Sequence, residues 1–81
     1  MKDYELRAIA MMEAARPASG CCPETPEEWT RLLRAVEELA YAAYRDLGVP
    51  KRKAREIAHA IHGGEAGMLL LKLNFGEGHH A

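Results

Sequence analysis

The amino-acid sequence predicts a mainly α protein with a single strand near its C-terminal end. Apolar residues recur every three or four positions in two neighbouring stretches, a glycine–proline corner separates these stretches, and a short apolar run bounded by glycines follows. We expect helices over about 3–16, 26–47 and 51–62, and a strand over about 68–75. A chain of 81 residues suits a single small helical domain spanning 1–81.

The N-terminal helix, within 1–16, is expected to begin at Asp3, whose side chain can cap it, and to end before Pro17. Its apolar residues form a broad face for a short helix: Leu6, Ile9, Ala10, Met11 and Met12. Methionine at helical spacing is usually core, so we expect Met11 and Met12 to fill the core. A patch that binds a partner is the alternative for the same pair.

The second helix is the longest, and its first residues carry a dense start signal. Thr25 can cap it, Pro26 suits the first helical position, and Glu28 completes a capping box. An apolar stripe then follows one face of this second helix, α2, expected over about 26–47, and we call it the α2 seam: Trp29, Leu32, Leu33, Val36, Leu39, Ala40, Ala43 and Leu47. A helix of this length spans roughly 30 Å. We therefore expect the seam to need cover from elsewhere in the chain or from a partner.

A corner, Leu47-Gly48-Val49-Pro50, separates the second helix from the third. Glycine adopts a left-handed conformation at little cost, and proline suits the start of a following helix. The third helix carries its own apolar stripe of Ala54, Ile57, Ala58 and Ile61, and Gly63-Gly64 ends it. Residues 25–64 are therefore expected to form a packed helical pair.

The predicted strand lies within 65–76, and we expect a mobile tail over 77–81. A short apolar run between glycines favours a strand, although leucine is not a strong strand former. The sequence contains no second strand candidate, and backbone donors and acceptors need partners. We therefore expect the strand to pair with a second copy across a two-fold axis, which makes the protein a homodimer. The predicted dimer interface combines residues of the strand and of the long helix: Leu69, Leu71, Leu73, Phe75, Leu32, Val36 and Leu39.

Composition excludes several classes of protein. The formal net charge of −1 argues against bulk electrostatic binding to nucleic acid or membrane, and we expect no membrane partner. Neither a membrane-length apolar segment nor a signal-peptide pattern is evident, so we expect a cytoplasmic protein, in the host cell if it is phage-encoded. In that compartment the adjacent Cys21 and Cys22 are expected to be reduced thiols in a loop.

No pattern in the chain indicates catalysis. Paired acid–base residues and a phosphate-cradling loop are both missing from the sequence, which predicts a protein that is not an enzyme and has no cofactor. His59 and His62 have a spacing that can hold a metal, but no third ligand follows at a suitable offset, and we expect no metal site. His79 and His80 are interpreted as ordinary end sequence.

A basic cluster at the start of the third helix is the candidate for contact with nucleic acid or a partner. It consists of Lys51, Arg52, Lys53 and Arg55. In a helix-turn-helix protein such residues touch phosphate, while the alternative is a solvated helix face. The helix before the corner is much longer than the first helix of an ordinary reader. We therefore expect weak nucleic-acid binding or none.

One family resemblance adds to these interpretations, over roughly Leu32 to Leu73. The residues that carry it are Leu47-Gly48-Val49, Ala54, Ile57, Ile61 and Gly63-Gly64. With them the chain resembles the Mor/C family, the middle- and late-operon transcription activators of Mu-like phages. The resemblance implies dimerisation through these helices and the following strand. The chain ends at Ala81, where the family's C-terminal helix-turn-helix would begin, and its strand lacks the family's tyrosine and proline.

The resemblance implies a phage- or prophage-type regulatory protein. It would act through protein–protein interaction, as a Mor-like dimerisation module without a DNA-reading domain, with a Mor-like relative as partner. The alternative is a small phage-encoded inhibitor, anti-CRISPR-like or polymerase-binding, that occludes a surface of a host complex. A minimal helix-turn-helix DNA binder is the second alternative.

Overall fold

The computed structural model describes residues 2–17 and 22–75. Within these residues it contains four α-helices and no strand: α1 Asp3–Ala14, α2 Pro26–Asp46, α3 Lys51–His62 and α4 Gly64–Phe75. The mainly α fold is confirmed, and the first three helices lie where the sequence predicts them. Helix α2 is the centre of the fold, because α1, α3 and α4 all pack against it, while α3 also packs against α4.

The start of α2 follows from local hydrogen bonding. The Thr25 hydroxyl oxygen accepts a hydrogen bond from the Glu28 backbone N–H at 3.1 Å, and the Glu28 carboxylate accepts one from the Thr25 backbone N–H at 3.3 Å. The Glu24 backbone N–H donates to the same carboxylate at 2.9 Å. These bonds complete the predicted capping box, which satisfies donors that the first turn of a helix leaves unpaired.

Replacing Thr25 by alanine is expected to lower the free energy of unfolding by about 0.5–2 kcal/mol, because the cap is lost. Urea denaturation followed by circular dichroism measures the change. Thr30→Ala is a matched control, since Thr30 lies in the same helix and its hydroxyl only donates to the Pro26 carbonyl. That control should be neutral or slightly stabilising, as alanine favours helix. If both variants lost the same free energy of unfolding, loss of the Thr25 cap would not be the cause of the destabilisation.

The corner after α2 is a Schellman motif built on Gly48. Gly48 has φ of 94°, as predicted for a left-handed glycine. The Val49 N–H donates to the Tyr44 carbonyl and the Gly48 N–H donates to the Arg45 carbonyl, both at 3.0 Å. The motif holds Leu47 at the end of α2 with 79% of its surface exposed.

The predicted strand over 68–75 is wrong, because these residues belong to helix α4. Leucine has a high helix propensity, and a helix satisfies its own backbone donors and acceptors without a partner strand. Gly67 allows α4 to follow α3 closely, since a Cβ at this position would collide with the His62 carbonyl and lie 2.9 Å from Leu33 Cδ1. The expected pairing of strands across a dimer therefore has no counterpart among residues 68–75.

The helical conformation also separates residues that a strand would place on one face. Residues two positions apart in a helix point about 200° apart, because each residue turns by about 100°. Leu71 is accordingly buried, at 4% exposure, while Leu69 and Leu73 are 62% and 64% exposed. The side chain of Phe75, the tail 77–81 and Cys21 lie outside the described part of the structure.

The core is formed mainly by small residues where helices meet. Tyr41, Ala54 and Ala58 form its centre, and Tyr4, Ala40, Tyr44 and Val49 pack around it. The rings of Tyr4 and Tyr41 meet edge to face, with centroids 6.1 Å apart, which joins α1 to α2. The core between α1, α2 and α3 therefore lies beside Tyr41 rather than along the predicted α2 seam.

Candidate interaction surface

The α2 seam is covered in its first half and open in its second half. Leu32 is buried, and Val36 is half-buried. Towards the C-terminal end of α2, Leu39 is 39% exposed and Leu47 is 79% exposed. In the same half of the helix the buried residues are Glu38, Tyr41 and Ala42, on a different face. The inward face of α2 therefore changes along its length, and part of the apolar stripe faces solvent.

A buried carboxylate explains this change of face. Glu38 is only 7% exposed, and its two carboxylate oxygens accept hydrogen bonds from the Arg55 guanidinium at 3.0 and 3.1 Å. The Arg7 guanidinium of α1 lies 3.9 Å from the same carboxylate. Bidentate pairs between arginine and carboxylate are among the strongest polar contacts in proteins. Glu38 thus links α1, α2 and α3 on the side of α2 that faces the core.

Arg55 has a second contact that fixes its position. Its guanidinium carbon lies 3.8 Å from the centroid of the Tyr41 ring, within the range of a cation–π interaction. The hydrogen bonds that Arg55 donates to the Glu38 carboxylate raise the pKa of Arg55 above its already high ordinary value, against a lowering by burial. Arg55 therefore belongs to a structural network rather than to the exposed part of the predicted basic cluster.

The open half of the α2 seam forms the floor of an apolar groove with two connected sections. The first section has a volume of about 400 Å³ and lies between α1, α2 and α4: Met12, Val36, Leu39, His62, Gly67, Leu70, Leu71 and Asn74. The second has a volume of about 370 Å³ and continues along α2: Val36, Leu39, Ala40, Ala43, Tyr44, Leu47 and His62. The sections share three residues, so they form one groove. From Val36 to Leu47 it extends along α2 for about 16 Å.

The structure distributes the predicted dimer-interface residues over different environments. Leu32 and Leu71 are buried, and Leu71 also borders the groove that Val36 and Leu39 line. Leu69 and Leu73 are exposed on α4 but do not share a face with Leu71. Among the side chains of this set that the structure describes, only Val36 and Leu39 are accessible and line a shaped apolar surface.

Lys51, Arg52 and Lys53 are exposed in the first turn of α3, immediately after the Gly48 corner. The three cations project from the end of the helix that carries positive partial charge. Since Arg55 is bonded to Glu38, three of the four predicted basic residues lie together at the surface.

The histidines occupy two different settings. His59 Nδ1 lies 3.3 Å from a Glu37 carboxylate oxygen, and His62 borders both sections of the groove. Within residues 2–17 and 22–75, no group of three or more histidine, cysteine, aspartate or glutamate side chains is placed to hold a metal ion. None of the described helices combines the length and apolar character that crossing a membrane requires.

Sequence reasoning missed several residues of the groove. The groove walls include Met12, for which the sequence favours the core with a partner-binding patch as the alternative, and Leu70, which is absent from the predicted interface. Their contribution depends on how α1 and α4 cross α2, which no local pattern encodes. One signal was available, because the seam runs along a helix of 21 residues, whereas each neighbouring helix has only twelve.

Comparisons with known proteins return no match for this chain among protein-family models, curated proteins or solved structures.

Proposed function

We propose that this chain is a phage- or prophage-type regulatory protein that acts through protein–protein interaction, as a helical dimerisation module. The open half of the α2 seam is the observation that carries this proposal. Leu39 and Leu47 expose apolar surface beside a groove instead of burying it within the chain. Contiguous apolar surface on a small protein marks an interaction site, because its exposure to water is unfavourable.

The resemblance to the Mor/C family supports the regulatory part of the proposal. Three of the residues that carry it, Leu47-Gly48-Val49, form the corner at one end of the groove. Because residues 68–75 are helical, the proposed pairing uses the groove along α2 instead of a shared strand. A Mor-like relative with the same corner would be the regulated partner. A host complex bound to the groove would instead make the chain an inhibitor that acts by occlusion.

The proposal is tested by capturing partners from a host lysate with tagged protein, followed by mass spectrometry. Leu39→Arg places a charge in the groove, while Leu69→Arg places the same charge on an exposed position of α4 and is the matched control. We expect Leu39→Arg to lose the captured protein and Leu69→Arg to retain it. A Mor-like relative supports the regulator, and a polymerase or CRISPR complex supports the inhibitor. Capture that both variants retain equally would exclude the groove as the functional surface.

A minimal helix-turn-helix DNA binder is the second candidate, and the exposed Lys51, Arg52 and Lys53 after the Gly48 corner favour it. With a net charge of −1 and so small a cluster, we expect weak binding without sequence preference. Each neutralised phosphate adds about 0.9 to the slope of log K against log salt concentration. Replacing Lys51 and Arg52 together by alanine should therefore lower that slope by about 2.

Fluorescence anisotropy with a mixed duplex, at low and physiological salt, measures this dependence. Arg31→Ala with Arg34→Ala is the matched control, since both arginines are exposed on α2 away from the corner. The control should leave the slope unchanged. Tight binding that discriminates between sequences at physiological salt would make the DNA binder the leading function, and no binding at low salt would exclude it.

A further inference from the structure

We propose that the groove is filled by Leu47 of a second copy, in a reciprocal antiparallel pair of α2 helices. The inference rests on the proposed function, because it names the partner of the same groove. Each copy would carry both a projecting residue and the site that receives it.

The projecting residue is Leu47. Among the exposed large apolar side chains that the structure describes, Leu47 is the most exposed, at 79%. It does not lie on a loose segment, because the Gly48 and Val49 N–H groups bond back to α2 and end the helix sharply. A residue whose backbone is already fixed loses less conformational freedom at an interface than one on a loose segment. Leu47 therefore has the properties of an anchor residue.

The receiving site lies on the same surface of α2, near the middle of the helix. It is the section of about 400 Å³ between Met12 of α1 and Leu70 of α4, with Val36 and Leu39 as its floor. Helices α1 and α4 both pack on α2 but not on each other, so the groove stays open between them. Its floor and walls are mainly apolar, as a leucine side chain requires.

The spacing of these two features fits a two-fold axis beside Ala43. In an antiparallel pair centred there, Leu39 of one copy lies level with the partner's Leu47, and the reverse contact follows by symmetry. Leu39 and Leu47 are eight residues apart, or about 12 Å along the helix. The small residues Ala40 and Ala43 lie at the crossing, where they allow a close approach of the axes. One arrangement thus buries both anchors and fills both grooves, as an isologous interface requires.

Charge does not oppose a second copy as the occupant. The residues of the open stripe are all uncharged, so they offer no charge that would select an acidic or basic partner: Val36, Leu39, Ala40, Ala43 and Leu47. Asp46, which borders the stripe, lies 3.6 Å from Lys2 of its own chain. With a formal net charge of −1 for each chain, two copies repel one another only weakly.

Sedimentation equilibrium at tens of micromolar tests the inference. We expect the unaltered chain to have twice the monomer mass of 9.0 kDa. Leu47→Arg should weaken pairing by at least about 100-fold, because each dimer would then place two charges in apolar grooves. Its helical content should not change, since Leu47 is exposed within one copy. Leu69→Arg is the matched control and should remain a dimer.

A cross-linking experiment locates the axis. In a Cys21→Ser, Cys22→Ser background, Ala43→Cys should form a disulfide between copies on mild oxidation, because residues at the axis come within disulfide reach. Ala60→Cys, on the exposed surface of α3, is the control and should not. A monomeric unaltered chain, a stable dimer of Leu47→Arg, a loss of pairing in Leu69→Arg, or equal cross-linking at 43 and 60 would each overturn the inference.

These outcomes separate the inference from the proposed function. A monomeric chain that still captures a protein through a Leu39-dependent contact would overturn the inference and leave the proposed function standing. A dimer that depends on Leu47 in a chain that captures no regulatory or host protein would support the inference and contradict the proposed function.

Discussion

Replacing Leu71 by arginine is expected to unfold the protein. Leu71 is 4% exposed on α4, where that helix packs against α2 and α3. Truncation of a buried leucine to alanine alone costs about 2–5 kcal/mol, and a buried charge without a partner costs more. Small domains have a total stability of only about 5–15 kcal/mol. Circular dichroism should therefore show loss of helix or a much lower urea midpoint, while Leu71→Ala should remain measurably folded.

Leu69→Arg is the control for this prediction, and it also distinguishes a helix from a strand. Leu69 lies two residues away on the same helix and is 62% exposed, so its substitution should change stability by less than about 0.5 kcal/mol. In a strand, residues 69 and 71 would share a face and both substitutions would be severe. If Leu69→Arg and Leu71→Arg lowered the stability by similar amounts, the helical structure of α4 would be contradicted.

Replacing Glu38 by glutamine is expected to lower the free energy of unfolding by about 2 kcal/mol. The change removes the charge that the Arg55 guanidinium contacts through two hydrogen bonds, and hydrogen bonds to charged groups contribute about 1.5–3 kcal/mol. The side chain of Arg55 is 40% exposed, so water compensates part of the loss. The raised pKa of Arg55 keeps the guanidinium charged at neutral pH, where the loss of stability in Glu38→Gln should be measured.

Glu56→Gln is the matched control, since Glu56 is exposed on α3 and its substitution should be nearly neutral. A double variant, Glu38→Met with Arg55→Met, should recover part of the loss, because it removes both polar partners instead of leaving one unpaired. Urea denaturation of the unaltered chain and the three variants measures these differences. If Glu38→Gln were as stable as Glu56→Gln, the network would not hold α1, α2 and α3 together.

Much of this fold was determined by residues that are neighbours in the sequence. The start of α2 depends on Thr25 and Glu28, three positions apart, and its end depends on the conformation that Gly48 adopts. Such features involve one side chain and the nearby backbone, so the sequence by itself predicted the bounds of α2 and α3 closely. The same applies to the break between α3 and α4 at Gly63-Gly64.

The tertiary structure decided two features that local patterns left open. A short leucine-rich run suits a buried strand or a helix, and the close approach that Gly67 permits placed α4 as a helix against α3. The spacing of apolar residues identified the α2 seam, but it did not show which residues of the seam face the interior of the fold. That choice depends on Glu38 and Arg55, seventeen residues apart in the chain. Their contact buries one face of α2 and leaves Leu39 and Leu47 open, because a charged pair that joins two helices fixes how they pack.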